Sequence, residues 1–164
     1  MPHNIEIPDY VIERIMAKRG KLEVFDRFEA AKTAFLVIDM QNFYVAEVDT
    51  AISIVPNINR IATACREKGV PVIWVIMTVA DEVGGPSQWR LYHEYFFTDA
   101  KGKNHLTQLS EGHKGHELYP DLDVKVGEQI VHKKRFSPFI IGSSDLHDRL
   151  QEKSIENLIV AGTA

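Results

Sequence analysis

Two uninterrupted apolar runs, Thr33-Ala34-Phe35-Leu36-Val37-Ile38 and Val72-Ile73-Trp74-Val75-Ile76-Met77, constrain this chain more than any other feature. A strand with one wet face alternates apolar and polar residues, so runs this solid read as strands covered on both sides. Between them Ile54, Ile58, Ile61 and Cys65 draw one apolar stripe along a helix from about Ile54 to Lys68, which Gly69 closes. Strand, helix and strand in that order make a βαβ unit with a right-handed crossover, and therefore a parallel sheet.

The flanks extend the same pattern. Gln129-Ile130-Val131-His132 reads as a third strand ending at Lys133-Lys134-Arg135. Ser144 or Asp145 then caps a helix with Leu146 and Leu150 on one face, and Leu158 to Gly162 is the last strand. Ahead of the first strand, Val11/Ile15 and Ile12/Met16 repeat at i,i+4 in a helix from Ile7 to Gly20. Residues 1–30 are thus expected to form a helical arm that packs on the domain or on a neighbouring subunit. From Ala80 to Leu122 regularity fades into a stretch rich in Gly, His, charge and aromatics, including Gly84-Gly85-Pro86 and Tyr92 to Phe97. So long a segment without clear strands reads as a lid or interface insertion over 80–122. A single α/β domain over residues 1–164 is the expectation.

Composition excludes more than it selects. With 45% hydrophobic and 26% charged residues and a net charge of −4, the 164 residues carry a sizeable core and no bias towards nucleic acid. No apolar run is long enough to cross a bilayer, and Met1-Pro2-His3-Asn4 lacks the pattern of a signal peptide, so a cytoplasmic location without membrane partners is expected. The Gly-rich dinucleotide and P-loop fingerprints are absent, as is Gly-x-Ser-x-Gly. His93, His105, His113 and His116 lack cysteine or tight His-x-His spacing and read as solvated loop histidines, with no metal or cofactor expected. Cys65 sits on the buried stripe, where a thiol pKa rises, and reads as a small packed hydrophobe rather than a nucleophile.

Two strand-end charges remain, Asp39 after the first run and Lys133 after the third strand. The carboxyl ends of parallel strands are where open α/β sheets place reactive groups. From residue types alone the pair is either a salt bridge at the rim of the sheet or part of a reactive site.

Three stretches weight that choice by resemblance. Phe35-Leu36-Val37-Ile38-Asp39-Met40-Gln41-Asn42 resembles the first-strand signature of the isochorismatase-like cysteine hydrolases. Lys133-Lys134-Arg135-Phe136-Ser137-Pro138-Phe139 is similar to that family's Lys, three residues, Ser, one residue, Phe element. Asp145 to Leu150, followed by Ile155 to Ala164, resembles the helix and strand that precede the family's nucleophile.

The resemblance implies a three-layer Rossmann-like sandwich around a mainly parallel sheet, with the carboxy-terminal part lying outside this chain. It implies Asp39 as general base and Lys133 as the cation that favours a thiolate. Thr163 and Ala164 fall at the family's non-proline cis peptide, with the Ala164 amide in the oxyanion hole. Gln41, Trp89 and Phe139 are expected at the substrate pocket. The family's cysteine would fall a few residues past Ala164, so the chain is expected to be part of a longer polypeptide. Hydrolysis of a small amide, carbamoyl or ureido compound through a thioester is the function implied. The nicotinamidase branch carries histidines just after the second strand, where this chain has Thr78-Val79-Ala80-Asp81-Glu82, which disfavours a metal-assisted nicotinamidase. Vinyl ether hydrolysis of the isochorismatase type and a non-catalytic scaffold are the alternatives, and a homodimer or higher homo-oligomer is expected.

Overall fold

The computed structural model describes residues 6–25 and 27–163. Four strands, β1 (Thr33–Ile38), β2 (Val72–Met77), β3 (Gln129–Lys133) and β4 (Asn157–Gly162), form one sheet in the order β3-β2-β1-β4. Every pairing is parallel. The order leaves β1 and β2 in the middle, which is why these two carry the solid apolar runs and are buried almost throughout.

Successive side chains of a strand face opposite ways, and two cores follow from that. Phe35, Val37, Val72 and Trp74 pack on one face against Val55, Ile58, Ala62 and Cys65 of helix α3 (Asp49–Glu67). Ala34, Leu36, Ile73 and Val75 pack on the other against Leu146 and Leu150 of α6 (Leu146–Glu152). Helix, sheet and helix make the expected three layers. Complete burial of a residue such as Phe35, Leu36 or Ile73 contributes about 1.5–3 kcal/mol each.

Helix α3 starts five residues before the expected Ile54 and carries Pro56 inside it. Its buried face is also rotated, with Val55 and Ala62 fully inside and Ile54 and Ile61 only half-buried. Arg66 near its end bonds Glu128 at 2.7 Å and Asp123 at 3.0 Å, while the indole of the fully buried Trp74 donates to Glu128 at 2.8 Å. These bonds fasten the loop before β3 to the core.

The arm helix α1 (Asp9–Arg19) forms as expected and ends at Gly20, whose φ of 71° is the left-handed turn the sequence signalled. None of its residues is fully buried: Val11, Ile12 and Ile15 are half-buried, and Tyr10 and Met16 are exposed. The 80–122 segment is more regular than its sequence suggested. It contains α4 (Arg90–Tyr95), α5 (Asp99–Gln108) and a 3-10 turn at Lys114–His116, with a short helix α2 (Asn42–Val45) against that turn. Gly102 lets α4 and α5 close, since a Cβ there would lie 2.9 Å from the His93 carbonyl. Among the described residues no helix is long and apolar enough to cross a membrane.

Candidate active site

The chain leaves β1 at Asp39 with φ at 56°, a left-handed conformation rare for a residue with a side chain. Three hydrogen bonds hold it there. The Asp39 amide donates to the Val75 carbonyl at 2.9 Å, Thr163 Oγ1 donates to the Asp39 carbonyl at 2.8 Å, and the Thr163 amide donates to the Ile38 carbonyl at 3.0 Å. The ends of β1, β2 and β4 thus determine the aspartate together, and outliers of this kind concentrate where function requires them.

Lys133 arrives from the end of β3, two strands away, and its Nζ lies 2.8 Å from Asp39 Oδ2 across the end of β2. This is no rim salt bridge: Asp39 is 6% and Lys133 3% exposed. The ammonium also donates to the Phe136 carbonyl at 3.0 Å. Oδ1 of Asp39 has no hydrogen-bond partner among the described residues and is fully buried. Burial pushes the Asp39 carboxyl above its ordinary value, and the Lys133 charge only partly opposes that. A desolvated carboxylate with one oxygen held by a cation can accept a proton on the other.

A cavity of about 750 Å³ opens over this pair. Tyr44, Tyr92, Phe97, Phe136 and Phe139 wall it, Gly162 and Thr163 close one end, and His105 enters from α5. Phe139 and Thr163, two of the residues expected at the site, both line this cavity. Ala164 and the Thr163–Ala164 peptide lie outside the described residues.

Gln41 and Trp89 sit elsewhere. Gln41 is fully buried, and its side chain is spent on the backbone. Its Oε1 accepts from the Met77 amide at 2.7 Å, and its Nε2 donates to the Met77 and His116 carbonyls at 2.9 and 2.8 Å. Trp89 stands behind the aromatic wall, stacked on Tyr92 at 4.2 Å, edge-on to Phe136 at 4.6 Å and capped by the Arg135 guanidinium.

The histidines depart most from expectation. Rather than solvated loop residues, His105 and His116 are buried and His93 is half-buried. Thr78 Oγ1 lies 2.7 Å from His116 and 2.9 Å from His132. His93 Nδ1 lies 2.6 Å from Ser87 Oγ, and its Nε2 lies 2.9 Å from His105 Nδ1. Burial, the neighbouring His93 and Lys133 push His105 down to about 4. Nothing in the spacing of His93 and His105 foretold their meeting; Gly102 was the one local signal that their helices close on each other.

The chain matches the sequence model of the isochorismatase domain family over residues 33–164. It is 33% identical over 136 residues to a probable inactive nicotinamidase of Arabidopsis thaliana, covering 79% of this chain and 65% of that protein. It is 27% identical over 177 aligned positions to the ureidoacrylate amidohydrolase RutB of Pseudomonas savastanoi pv. phaseolicola, covering 98% of this chain and 69% of that one. Its fold is similar to that of a cysteine hydrolase from Pseudomonas syringae pv. phaseolicola 1448A, with a TM-score of 0.70, 23% identity and coverage of 88% and 65%. An N-carbamoylsarcosine amidase from Thermoplasma acidophilum shares the fold at a TM-score of 0.60 and 19% identity, over 80% of this chain and 67% of that one. The chain thus spans about two thirds of the length of these relatives.

Proposed function

The chain belongs to the isochorismatase domain family, and we propose that it serves the hydrolysis of a C–N bond in a small amide, carbamoyl or ureido compound. The observation that carries this reading is the buried Asp39–Lys133 pair under the cavity, with Asp39 Oδ1 unpartnered among the described residues. In this reading the nucleophile is a cysteine thiolate outside these 164 residues. Cys65 is not that group, because it is packed into the core on α3 and burial raises its pKa.

The thiol gives its proton to Asp39, and Lys133 steadies the thiolate beside it. Sulfur attacks the carbonyl carbon, the C–S bond forms, and the carbonyl π pair moves to oxygen, where backbone amides hold the oxyanion. Collapse of this intermediate breaks the C–N bond while Asp39 returns its proton to the leaving nitrogen. Asp39 then takes a proton from water, the hydroxide attacks the thioester, and the C–S bond breaks to release the acid. Support for the substrate class comes from RutB, a ureidoacrylate amidohydrolase by name, and from the fold shared with N-carbamoylsarcosine amidase.

The test is an assay of the full-length protein against ureido, carbamoyl and primary amide compounds beside isochorismate. Release of ammonia or amine from the first three is expected. Cleavage of isochorismate alone would move the assignment to vinyl ether hydrolysis. Binding without turnover of any compound would place this protein with its Arabidopsis relative, whose name describes an inactive protein.

A further inference from the structure

His105 at the cavity wall, paired with His93, is not used by the chemistry above, and the contact of His93 with the Trp89 carbonyl is the one that assigns the protons of the pair. His93 Nδ1 lies 3.1 Å from the Trp89 carbonyl as well as 2.6 Å from Ser87 Oγ. A carbonyl oxygen only accepts, so Nδ1 carries the hydrogen. Neutral His93 then has a bare Nε2, and the 2.9 Å contact to His105 requires that His105 Nδ1 donate to it. Neutral His105 is left with a bare Nε2. Burial beside His93 and Lys133 keeps the ring neutral at ordinary pH, its pKa lying at about 4.

That nitrogen has no hydrogen-bond partner among the described residues. The space its ring lines is the cavity over Asp39. Phe43 at 5.5 Å and Tyr92 at 5.9 Å, both in T-shaped contact, and Phe97, tilted at 5.1 Å, confine the ring, and the bond to His93 holds its rotation.

We infer that His105 is a specificity-determining residue whose Nε2 accepts an N–H of the substrate, so that the site takes ureido compounds, with N–H groups on both sides of the carbonyl, in preference to their ester-oxygen counterparts. The inference rests on the amide-hydrolase reading. One nitrogen of such a compound faces Asp39, which exchanges its proton; the other meets the His105 acceptor in a wall that is mainly apolar and also carries Ser137 and Thr163. An oxygen in place of that nitrogen would set lone pair against lone pair, a mismatch that sites built to hydrogen-bond a substrate N–H reject strongly.

Two variants separate the roles of the ring's nitrogens. His105→Asn keeps a donor at the δ position for His93 and removes the ε acceptor, whereas His105→Gln places an amide oxygen near the ε position. In the full-length protein, ammonia release is followed from an alkyl urea and from the alkyl carbamate in which the ureido N–H is an oxygen. H105N should lower the urea-to-carbamate ratio of kcat/KM by roughly tenfold or more, and H105Q should keep it within a few-fold of wild type, with thermal melts checking that both fold. A ratio unchanged in H105N, or lost equally in both variants, would overturn the inference while leaving the amide-hydrolase reading intact. A wild-type protein that releases nothing from the alkyl urea but hydrolyses a primary amide overturns this inference alone, and one that releases nothing from urea, carbamate or amide overturns that reading and this inference with it.

Discussion

Replacing Gln41 by Ala tests whether that side chain is a structural tie or a pocket residue. Its amide makes three buried hydrogen bonds, at 2.7, 2.9 and 2.8 Å, joining the last residue of β2 to the 3-10 turn at His116. Truncation deprives the Met77 amide and the Met77 and His116 carbonyls of these partners where water does not reach. Each buried polar group left unsatisfied costs about 1–3 kcal/mol, so three span about 3–9 kcal/mol, and the lower part of that range, about 3–6 kcal/mol, is expected because a carbonyl has a second lone pair to satisfy. Total stability of an ordinary domain is about 5–15 kcal/mol, so this is a large fraction of it. In urea denaturation the midpoint should fall by on the order of 2 M. Gln41→Glu should be no better, because a carboxylate can accept from the Met77 amide but sets its charge against both carbonyls. A Gln41→Ala protein whose midpoint stays within about 0.5 M of wild type while its KM alone rises would refute the reasoning and return Gln41 to the pocket.

Three further outcomes follow from the site and the sheet. Lys133→Met leaves Asp39 buried without its cation, at about 3–5 kcal/mol when Asp39 is ionised; the stability gap from wild type should narrow as pH falls and Asp39 takes a proton, and a gap independent of pH contradicts this. His105 titrates at about 4 in the fold against 6.5 ordinarily, so the unfolded chain binds a proton that the folded one refuses. Stability should therefore be full above pH 6.5 and be lost as pH falls towards 4, by on the order of 3 kcal/mol, and H105Q should lose less over that window in paired urea titrations; equal losses would contradict the assignment. Gly162→Ala puts a Cβ into the Ile38 carbonyl at a φ of 133°; the cooperative urea transition should be abolished or strongly weakened, and a transition within about 1 kcal/mol of wild type would be the contrary result.

What the sequence made legible is what depends on local pattern. β1 and β2 were readable to the residue because central parallel strands must be apolar throughout, and Asp39 and Lys133 stood out as charges at strand ends. Helix α3 was legible but misphased, because its larger Ile54 and Ile61 lie at the edge of the buried face while the smaller Val55 and Ala62 face the sheet. Helices α4 and α5 were missed: both are short, and their inward side is largely histidine, aromatic residues and Gly102 rather than an aliphatic stripe. Nor does local pattern show that a lysine two strands away spans the end of β2, that Gln41 spends its amide on backbone, or that His93 and His105 share a hydrogen bond. These contacts exist only once the sheet order and the helix pairing are known.

The most direct test of the Asp39 assignment is the turnover of Asp39→Asn in the full-length protein on a ureido compound that the wild type hydrolyses. An amide of the same shape can still accept from Lys133 but cannot shuttle the proton between thiol, leaving nitrogen and water. The account predicts that kcat falls by on the order of 10²- to 10⁴-fold with a cooperative fold retained, whereas a folded D39N protein with kcat within a few-fold of wild type would contradict it.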